Sequence, residues 1–117
     1  MATITDEILT RAYEAFNLRD IDAALSLMDP QVDWPNGWEG GYVTGHSAVK
    51  EYWKRQWKEI DPHVAPLSIN QTADGRFNVQ VHQVVKDLQG NILADTLVKH
   101  IYTLEKNLIT RMEIEKL

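Results

Sequence analysis

Two ionisable side chains on neighbouring predicted strands, His82 and Lys99, are the residues of this sequence best suited to acid–base chemistry. If Gly90-Asn91 forms a two-residue hairpin turn, His82 lies directly opposite Lys99. Two close cations oppose each other's protonation, so this pair favours a neutral imidazole, suitable as a general base or a hydrogen-bonding group. The alternative interpretation is structural: His82 satisfies a neighbouring polar group, and Lys99 reaches solvent or pairs with a carboxylate.

Asp33 is a third candidate catalytic residue, as a carboxylate base, and the competing interpretation is that its side chain caps a turn. His46, at the start of a predicted helix, is expected to be structural, and His63 to lie in an exposed loop. The spacing of the histidines, in a chain without cysteine, does not match a metal site. The glycines do not follow a strand in the pattern that cradles phosphates, so the sequence predicts neither a metal nor a cofactor.

All four tryptophans lie in one stretch, residues 32–57, where a glycine-rich loop precedes a helix. Large rigid side chains delivered by such a loop suit either a hydrophobic core or the wall of a ligand cavity. Trp57 continues the apolar stripe of the helix and is expected in the core, whereas Trp38 is expected to act as a lid or an interface residue. The predicted ligand-binding residues, around a pocket of at least a few hundred cubic ångströms, are Trp34, Trp38, Trp53, Gln80, Leu97, Met112 and Ile114.

Length and composition predict a single domain over residues 1–117, large enough for one hydrophobic core. The formal net charge is −5 and the basic residues are scattered apart from one cluster on a helix, so nucleic-acid binding is not expected. The N-terminal residues lack the pattern of a signal peptide, and no apolar run approaches the length needed to cross a bilayer. We therefore expect a cytoplasmic protein with no membrane partner.

The first half of the chain has helical periodicity and the second half has strand-like runs, which predicts an α+β fold. Helix one is expected after a Thr5 cap, helix two after Asp20 with its end at Asp29-Pro30, and helix three up to Asp61-Pro62. From Val64 onward, turn residues separate four runs typical of an antiparallel meander. One predicted sheet face carries Phe77, Val79, Val81, Val85, Val98, His100 and Tyr102, and the other carries Gln80, His82, Val84, Asp95, Leu97, Lys99 and Ile101.

Several motifs together resemble a known family: two short helices, the run Leu27-Met-Asp-Pro-Gln-Val-Asp-Trp-Pro, the helix start Gly45-x-x-Ala-Val-x-x-Tyr-Trp and the closing meander. Over its whole length the chain is similar to the SnoaL-like and ketosteroid-isomerase-like branch of the nuclear transport factor 2-like superfamily. That resemblance implies three N-terminal helices packed in the concave face of a curved, mainly antiparallel β-sheet, forming a cone with a deep apolar cavity. It also implies a homodimer through the outer sheet face.

The resemblance does not extend to the residues that catalyse steroid isomerisation, which are a carboxylate base and two hydrogen-bond donors. Isomerisation by that mechanism is therefore not expected. The corresponding positions are Trp34 or Asn36 for the base, with Asp33 displaced, Ala12 beside Tyr13 for the donor tyrosine, Lys99 for the donor acid, and Trp53 for a pocket tyrosine of helix three.

Two functions remain open at this point. In the first, the chain binds a small, largely apolar molecule in an aromatic-lined cavity. In the second, it is a cofactor-independent isomerase, cyclase or hydrolase acting by proton transfer through His82, Lys99 or Asp33. The missing carboxylates favour binding. We expect the polar sheet face to line the cavity and the apolar face to form the dimer interface; a monomeric chain would require the faces to be exchanged, with His100 and Tyr102 as cavity residues.

Overall fold

Three helices and six strands make up the part of the chain that the computed structural model describes, residues 3–37 and 39–116. The helices are α1 (Ile4–Asn17), α2 (Ile21–Leu25) and α3 (His46–Glu59). The strands are β1 (Met28–Pro35), β2 (Tyr42–Thr44), β3 (Ile60–Gln71), β4 (Phe77–Asp87), β5 (Ile92–Glu105) and β6 (Leu108–Lys116). This architecture confirms the predicted α+β class. None of the described helices is long and apolar enough to span a membrane.

Helix α1 begins earlier than predicted, because Thr3 rather than Thr5 is its N-cap. The Thr3 hydroxyl accepts a hydrogen bond from the Asp6 amide at 3.1 Å, and the Asp6 carboxylate accepts one from the Thr3 amide at 3.3 Å. This reciprocal capping box satisfies two amides that the helix itself leaves without partners. The helical spacing then brings Leu9, Ala12 and Tyr13 onto one buried face.

Helix α2 is shorter than predicted, ending at Leu25 instead of continuing to Asp29-Pro30. The residues from Met28 onward form strand β1, which the sequence analysis did not predict. Proline fits this extended segment because its φ suits a strand and its missing amide proton is tolerated at a sheet position without a ladder bond. Tertiary pairing with β2 and β6 therefore outweighs the local helical pattern.

The six strands form one sheet in the order β2-β1-β6-β5-β4-β3. Neighbouring strands are antiparallel except for β1 and β6, which run parallel. The meander begins with β3 at the opposite edge of the sheet, and its last strand, β6, lies beside β1. Register shifts interrupt the ladders at Pro66/Ser68, Val85/Lys86 and Thr103/Leu104. Such bulges bend strands locally and increase twist, so they help the sheet to curve around the helices.

The predicted hairpin register is wrong by two residues. His82 pairs with Leu97, and Lys99 pairs with Gln80, so His82 and Lys99 are not opposite each other. The turn is longer than the two residues assumed, since the Asp87 amide bonds to the Asn91 carbonyl and the Asp87 carboxylate accepts from the amides of Gln89 and Asn91. A shift of two keeps every side chain on its predicted face.

The assignment of the two faces to the inside and the outside is also wrong. Val79 and Val81 are fully buried, and Tyr102 is almost fully buried, on the concave face that covers the helices. That face was predicted to form the dimer interface. The reason is the hydrophobic effect: packing the more apolar face of the sheet against the helices removes more apolar surface from water and so stabilises the fold more.

Candidate functional site

A cavity of about 330 Å³ lies between the concave sheet face and helices α1 and α3. Its walls are mostly aromatic and aliphatic, and they come from both helices and from all of the strands except β2. The lining residues are Ala12, Tyr13, Phe16, Met28, Trp34, Pro35, Gly37, Tyr52, Trp53, Gln56, Ile60, Pro62, Val64, Gln83, Val85, Ala94, His100, Tyr102, Met112 and Ile114.

Trp53 organises the aromatic part of the wall. Its ring meets Trp34 edge-on, with centroids 5.6 Å apart, and meets Phe16 in a similar arrangement at 5.4 Å. On its other side it stacks on Trp57 at 5.7 Å. Edge-to-face and offset-stacked contacts of this kind fix ring orientation, so the wall is rigid and largely preformed. Trp57 itself does not line this cavity and belongs to the partly buried shell of the core.

A hydrogen-bonded chain of three side chains supplies the buried polar groups of the cavity wall. The Tyr102 hydroxyl donates to the Tyr13 hydroxyl at 2.8 Å, and the Tyr13 hydroxyl lies 2.7 Å from Nδ1 of His100. The Tyr13 and His100 rings are also stacked, with an angle of 13° between their planes. Tyr13 comes from α1 and the other two from β5, so these groups meet only when the helix packs on the sheet.

Burial keeps all three groups of this chain neutral. Desolvation lowers the pKa of His100 to about 4, because the imidazolium would lose its hydration in this environment. Desolvation likewise raises the pKa of Tyr102, and desolvation together with the neighbouring Tyr102 raises that of Tyr13. At neutral pH the cavity therefore presents uncharged hydrogen-bonding groups.

Three further polar side chains line the cavity. Gln56 donates through Nε2 to the Tyr52 hydroxyl at 3.2 Å, which links two successive turns of α3. Gln83 lies on β4, four residues from Val79, the strand partner of His100. With a rise of about 3.3 Å per residue, Gln83 and His100 sit roughly 13 Å apart along the strand direction. The cavity is therefore elongated along the sheet, with polar groups at separated points.

Of the predicted ligand-binding residues, Trp34, Trp53, Met112 and Ile114 line the cavity. Trp38 lies outside the described residues. Gln80 and Leu97 do not line the cavity, because both project from the opposite, convex face of the sheet.

The three predicted catalytic residues also lie outside the cavity lining. His82 and Lys99 are on the convex face, where Nε2 of His82 is 2.6 Å from the Asp95 carboxylate and Lys99 lies 3.4 Å from Glu115. Their placement follows from the exchange of sheet faces. Each makes the kind of carboxylate contact that the structural interpretation anticipated.

Asp33 ties three strands together. Its carboxylate accepts a hydrogen bond from the Thr44 hydroxyl of β2 at 2.7 Å and another from Arg111 of β6 at 3.3 Å. The neighbouring loop residue Asn36 is buried and bonds to both the amide and the carboxylate of Glu39. These polar groups are therefore engaged in holding β1 and the following turn.

The remaining histidines have no contact with the cavity. Nε2 of His46 lies 3.0 Å from the Met28 carbonyl, a contact that joins the start of α3 to β1, and His63 is exposed. Among the described residues, no group of three or more His, Cys, Asp or Glu side chains converges in a way that would hold a metal ion.

His100 was expected at the dimer interface, and in the cavity only if the two sheet faces were exchanged, whereas no role in the site was predicted for Tyr13. A usable signal was present in the alternation of β4 and β5: Val79, Val81 and Tyr102 mark the apolar face. The greater hydrophobicity of this face favours burial, either against the helices or in an interface, and His100 shares that face.

The chain belongs to the SnoaL-like domain family, whose sequence model matches residues 9–112. This membership confirms the resemblance drawn from the motifs. The comparison with curated proteins yields no match.

Solved structures share the fold over almost the whole chain. The structure of TerC co-crystallised with polyporic acid is 29% identical, with a TM-score of 0.85, and the alignment covers 98% of this chain and 92% of TerC. An NTF2-like protein of unknown function from Burkholderia pseudomallei has a TM-score of 0.85 at 21% identity, covering 99% and 92%. The protein RV0760c from Mycobacterium tuberculosis, in complex with estradiol-17beta-hemisuccinate, has a TM-score of 0.81 at 15% identity, covering 97% and 93%.

Proposed function

We infer that this protein binds a small, largely apolar organic molecule in the cavity between its sheet and helices. The observation that carries this proposal is the combination of a preformed aromatic wall with one buried, neutral polar chain, Tyr102–Tyr13–His100. Small-molecule sites are typically cavities of about 300–1,000 Å³ lined mainly by apolar groups with a few placed hydrogen-bonding groups. The cavity of about 330 Å³ fits the lower end of that range.

Two relatives of the same fold support the proposal. TerC has been co-crystallised with polyporic acid, and RV0760c is in complex with estradiol-17beta-hemisuccinate. Each ligand is a small organic molecule. The second likeness, at 15% identity, concerns the fold alone, so the identity of the ligand has to come from the cavity of this chain.

The lining favours binding over proton-transfer catalysis. Among the described lining residues there is no aspartate, glutamate or lysine. The one imidazole in the lining, His100, has a pKa of about 4, which makes it a weak base at neutral pH. A neutral hydrogen-bonding group that holds a ligand oxygen needs no such basicity.

A fluorescence titration tests this function, because the tryptophans at the cavity wall respond to an aromatic ligand. Purified protein is titrated with planar aromatic compounds that carry a hydrogen-bonding oxygen, and native mass spectrometry checks for a one-to-one complex. We expect saturable quenching that is weakened in His100→Phe, which removes the polar group but keeps an aromatic ring. The matched control is His82→Phe on the convex face, which should bind like the unmodified chain. Equal binding by both variants, or no saturable binding by the unmodified chain, would contradict the proposal.

We also propose that two copies associate through the convex sheet face. Leu97 is 47% exposed on this face, although it lies on β5, an interior strand of the sheet. A second copy related by a two-fold axis would cover it. Light scattering at micromolar concentration tests this: Leu97→Asp should shift the mass towards one chain, whereas Leu18→Asp, at an exposed helix end, should not. A single-chain mass for the unmodified protein would rule the dimer out.

A further inference from the structure

His100 offers one ring nitrogen to the interior of the protein and the other to the cavity. Nδ1 is held by the Tyr13 hydroxyl at 2.7 Å. Nε2 makes no hydrogen bond to any described residue. Among the described side chains, the polar atom that is fully enclosed and has no partner is Nε1 of Trp57, so Nε2 of His100 is not fully enclosed. Because His100 lines the cavity, Nε2 is the nitrogen that a ligand can reach.

The acceptors available to each donor in this chain decide which nitrogen of the neutral imidazole carries the proton. Each tyrosine hydroxyl has one proton to donate. With Tyr102 donating to Tyr13, the proton of Tyr13 is free to point at Nδ1, which then accepts. The imidazole is neutral, and in this arrangement its one proton is on Nε2, where it faces the cavity.

The reverse arrangement is disfavoured by burial. If Nδ1 carried the proton and donated to Tyr13, then Tyr13 would donate to Tyr102, and the Tyr102 hydroxyl would need a different acceptor. Tyr102 is 1% exposed, and among the described residues its hydroxyl makes a hydrogen bond with Tyr13 alone. The arrangement with the proton on Nε2 also leaves one donor without a protein acceptor, but Nε2 opens on the cavity, whereas the Tyr102 hydroxyl belongs to a side chain that is 1% exposed and would carry the penalty of its desolvation.

We propose that Tyr13, through its hydrogen bond to Nδ1, locks His100 in the tautomer protonated at Nε2, so that the cavity selects ligands with a carbonyl or other acceptor oxygen at this point. This inference rests on the proposed binding function and adds a ligand class to it. A ketone or quinone oxygen accepts a hydrogen bond from the Nε2–H group, and neither the imidazole nor the ligand is then left with an unpaired donor. An alcohol in the same place accepts as well but brings a hydroxyl proton into an apolar wall, and a hydrocarbon leaves the Nε2 proton without a partner.

The tautomer is tested without any ligand by ¹⁵N NMR of the histidine rings at neutral pH. The protonated and unprotonated nitrogens of a neutral imidazole have well-separated chemical shifts, and the resonances of His100 are assigned with His100→Asn. We expect a single tautomer, protonated at Nε2. Tyr13→Phe should produce a mixture of tautomers, because Nδ1 loses its donor. Tyr102→Phe is the matched control that also loses a buried hydroxyl; it should keep the single tautomer, since Nδ1 remains the acceptor for Tyr13. Protonation at Nδ1 in the unmodified protein would overturn the proposal.

The ligand class is tested with three planar probes of nearly equal shape: 9-fluorenone, 9-fluorenol and fluorene. We expect fluorenone to bind about tenfold or more tightly than the other two, the scale of one unsatisfied buried polar group. His100→Phe should remove this preference while still binding all three probes. Fluorenol or fluorene binding as tightly as fluorenone would overturn the selectivity even if the tautomer is as proposed. Failure of all three to bind would instead contradict the binding function for planar aromatic molecules, and with it the ligand class, while the NMR result would still decide the tautomer.

Discussion

Replacement of His100 by asparagine should remove a large part of the acid sensitivity of this fold. The asparagine side-chain oxygen can take the place of Nδ1 as the acceptor for Tyr13, but it does not titrate. In the unmodified protein, burial lowers the pKa of His100 to about 4. In the unfolded chain the same imidazole titrates near its ordinary value of about 6.5.

The sign and the size of the effect follow from linkage. As pH falls below about 6.5, the unfolded chain takes up a proton on His100 before the folded protein does, so the free energy of unfolding decreases. The contribution is fully present above the unfolded pKa and is lost as pH falls towards about 4. A pKa difference of about 2.5, at about 1.36 kcal/mol for each pKa unit, gives a loss of about 3 kcal/mol.

Urea unfolding followed by tryptophan fluorescence, between about pH 7.5 and about pH 4, measures this loss. We expect the unmodified protein to lose about 3 kcal/mol more over this range than His100→Asn does. The control is His82→Asn, which removes an exposed histidine and should retain the steep loss. Parallel pH profiles for the unmodified protein and His100→Asn would refute the assignment of His100 as a buried neutral group.

Three stability predictions concern the elements that shape the site, and all are measured by urea unfolding at neutral pH. Trp53→Ala should lower the free energy of unfolding by about 3–5 kcal/mol, because the ring is 1% exposed and leaves a cavity on removal; a loss below about 1 kcal/mol would contradict its role in the wall. Gly45→Ala should cost about 1–3 kcal/mol, since this residue has φ +90° and the added Cβ would lie 3.4 Å from the Pro30 carbonyl oxygen; Gly37→Ala, where φ is not positive, should be nearly neutral, and equal effects would argue against backbone strain. Thr3→Ala should cost about 1 kcal/mol by removing the cap of α1, whereas the exposed Thr10→Ala within the helix should not destabilise, and the opposite order would place the cap elsewhere.

Much of the fold could be predicted from the sequence because the patterns that indicate its helices and strands involve residues close together in the chain. The helical spacing of the first segment, the turn residues between the later strands and the motif around Gly45 each depend on neighbouring residues only. These patterns predict the helices, the meander and the SnoaL-like family. The elements that differ are those held by distant partners: β1 replaces the end of the predicted second helix because β2 and β6 lie beside it.

The candidate site was only half predictable. The aromatic wall at Trp34 and Trp53 follows from the concentration of tryptophans in one segment. The polar chain does not, because Tyr13 and His100 are 87 residues apart and meet only through the packing of α1 on the sheet.

Alternation along a strand sorts side chains into two faces, and the sequence determined those two sets correctly. It does not state which set turns inward, and the expectation of a dimer through the apolar face assigned them in the wrong order. Only the tertiary structure decided the matter, because the free energy gained by burying Val79, Val81 and Tyr102 against the helices depends on the whole sheet closing over them. The same closure carries His100 out of water and leaves its neutral imidazole facing the cavity.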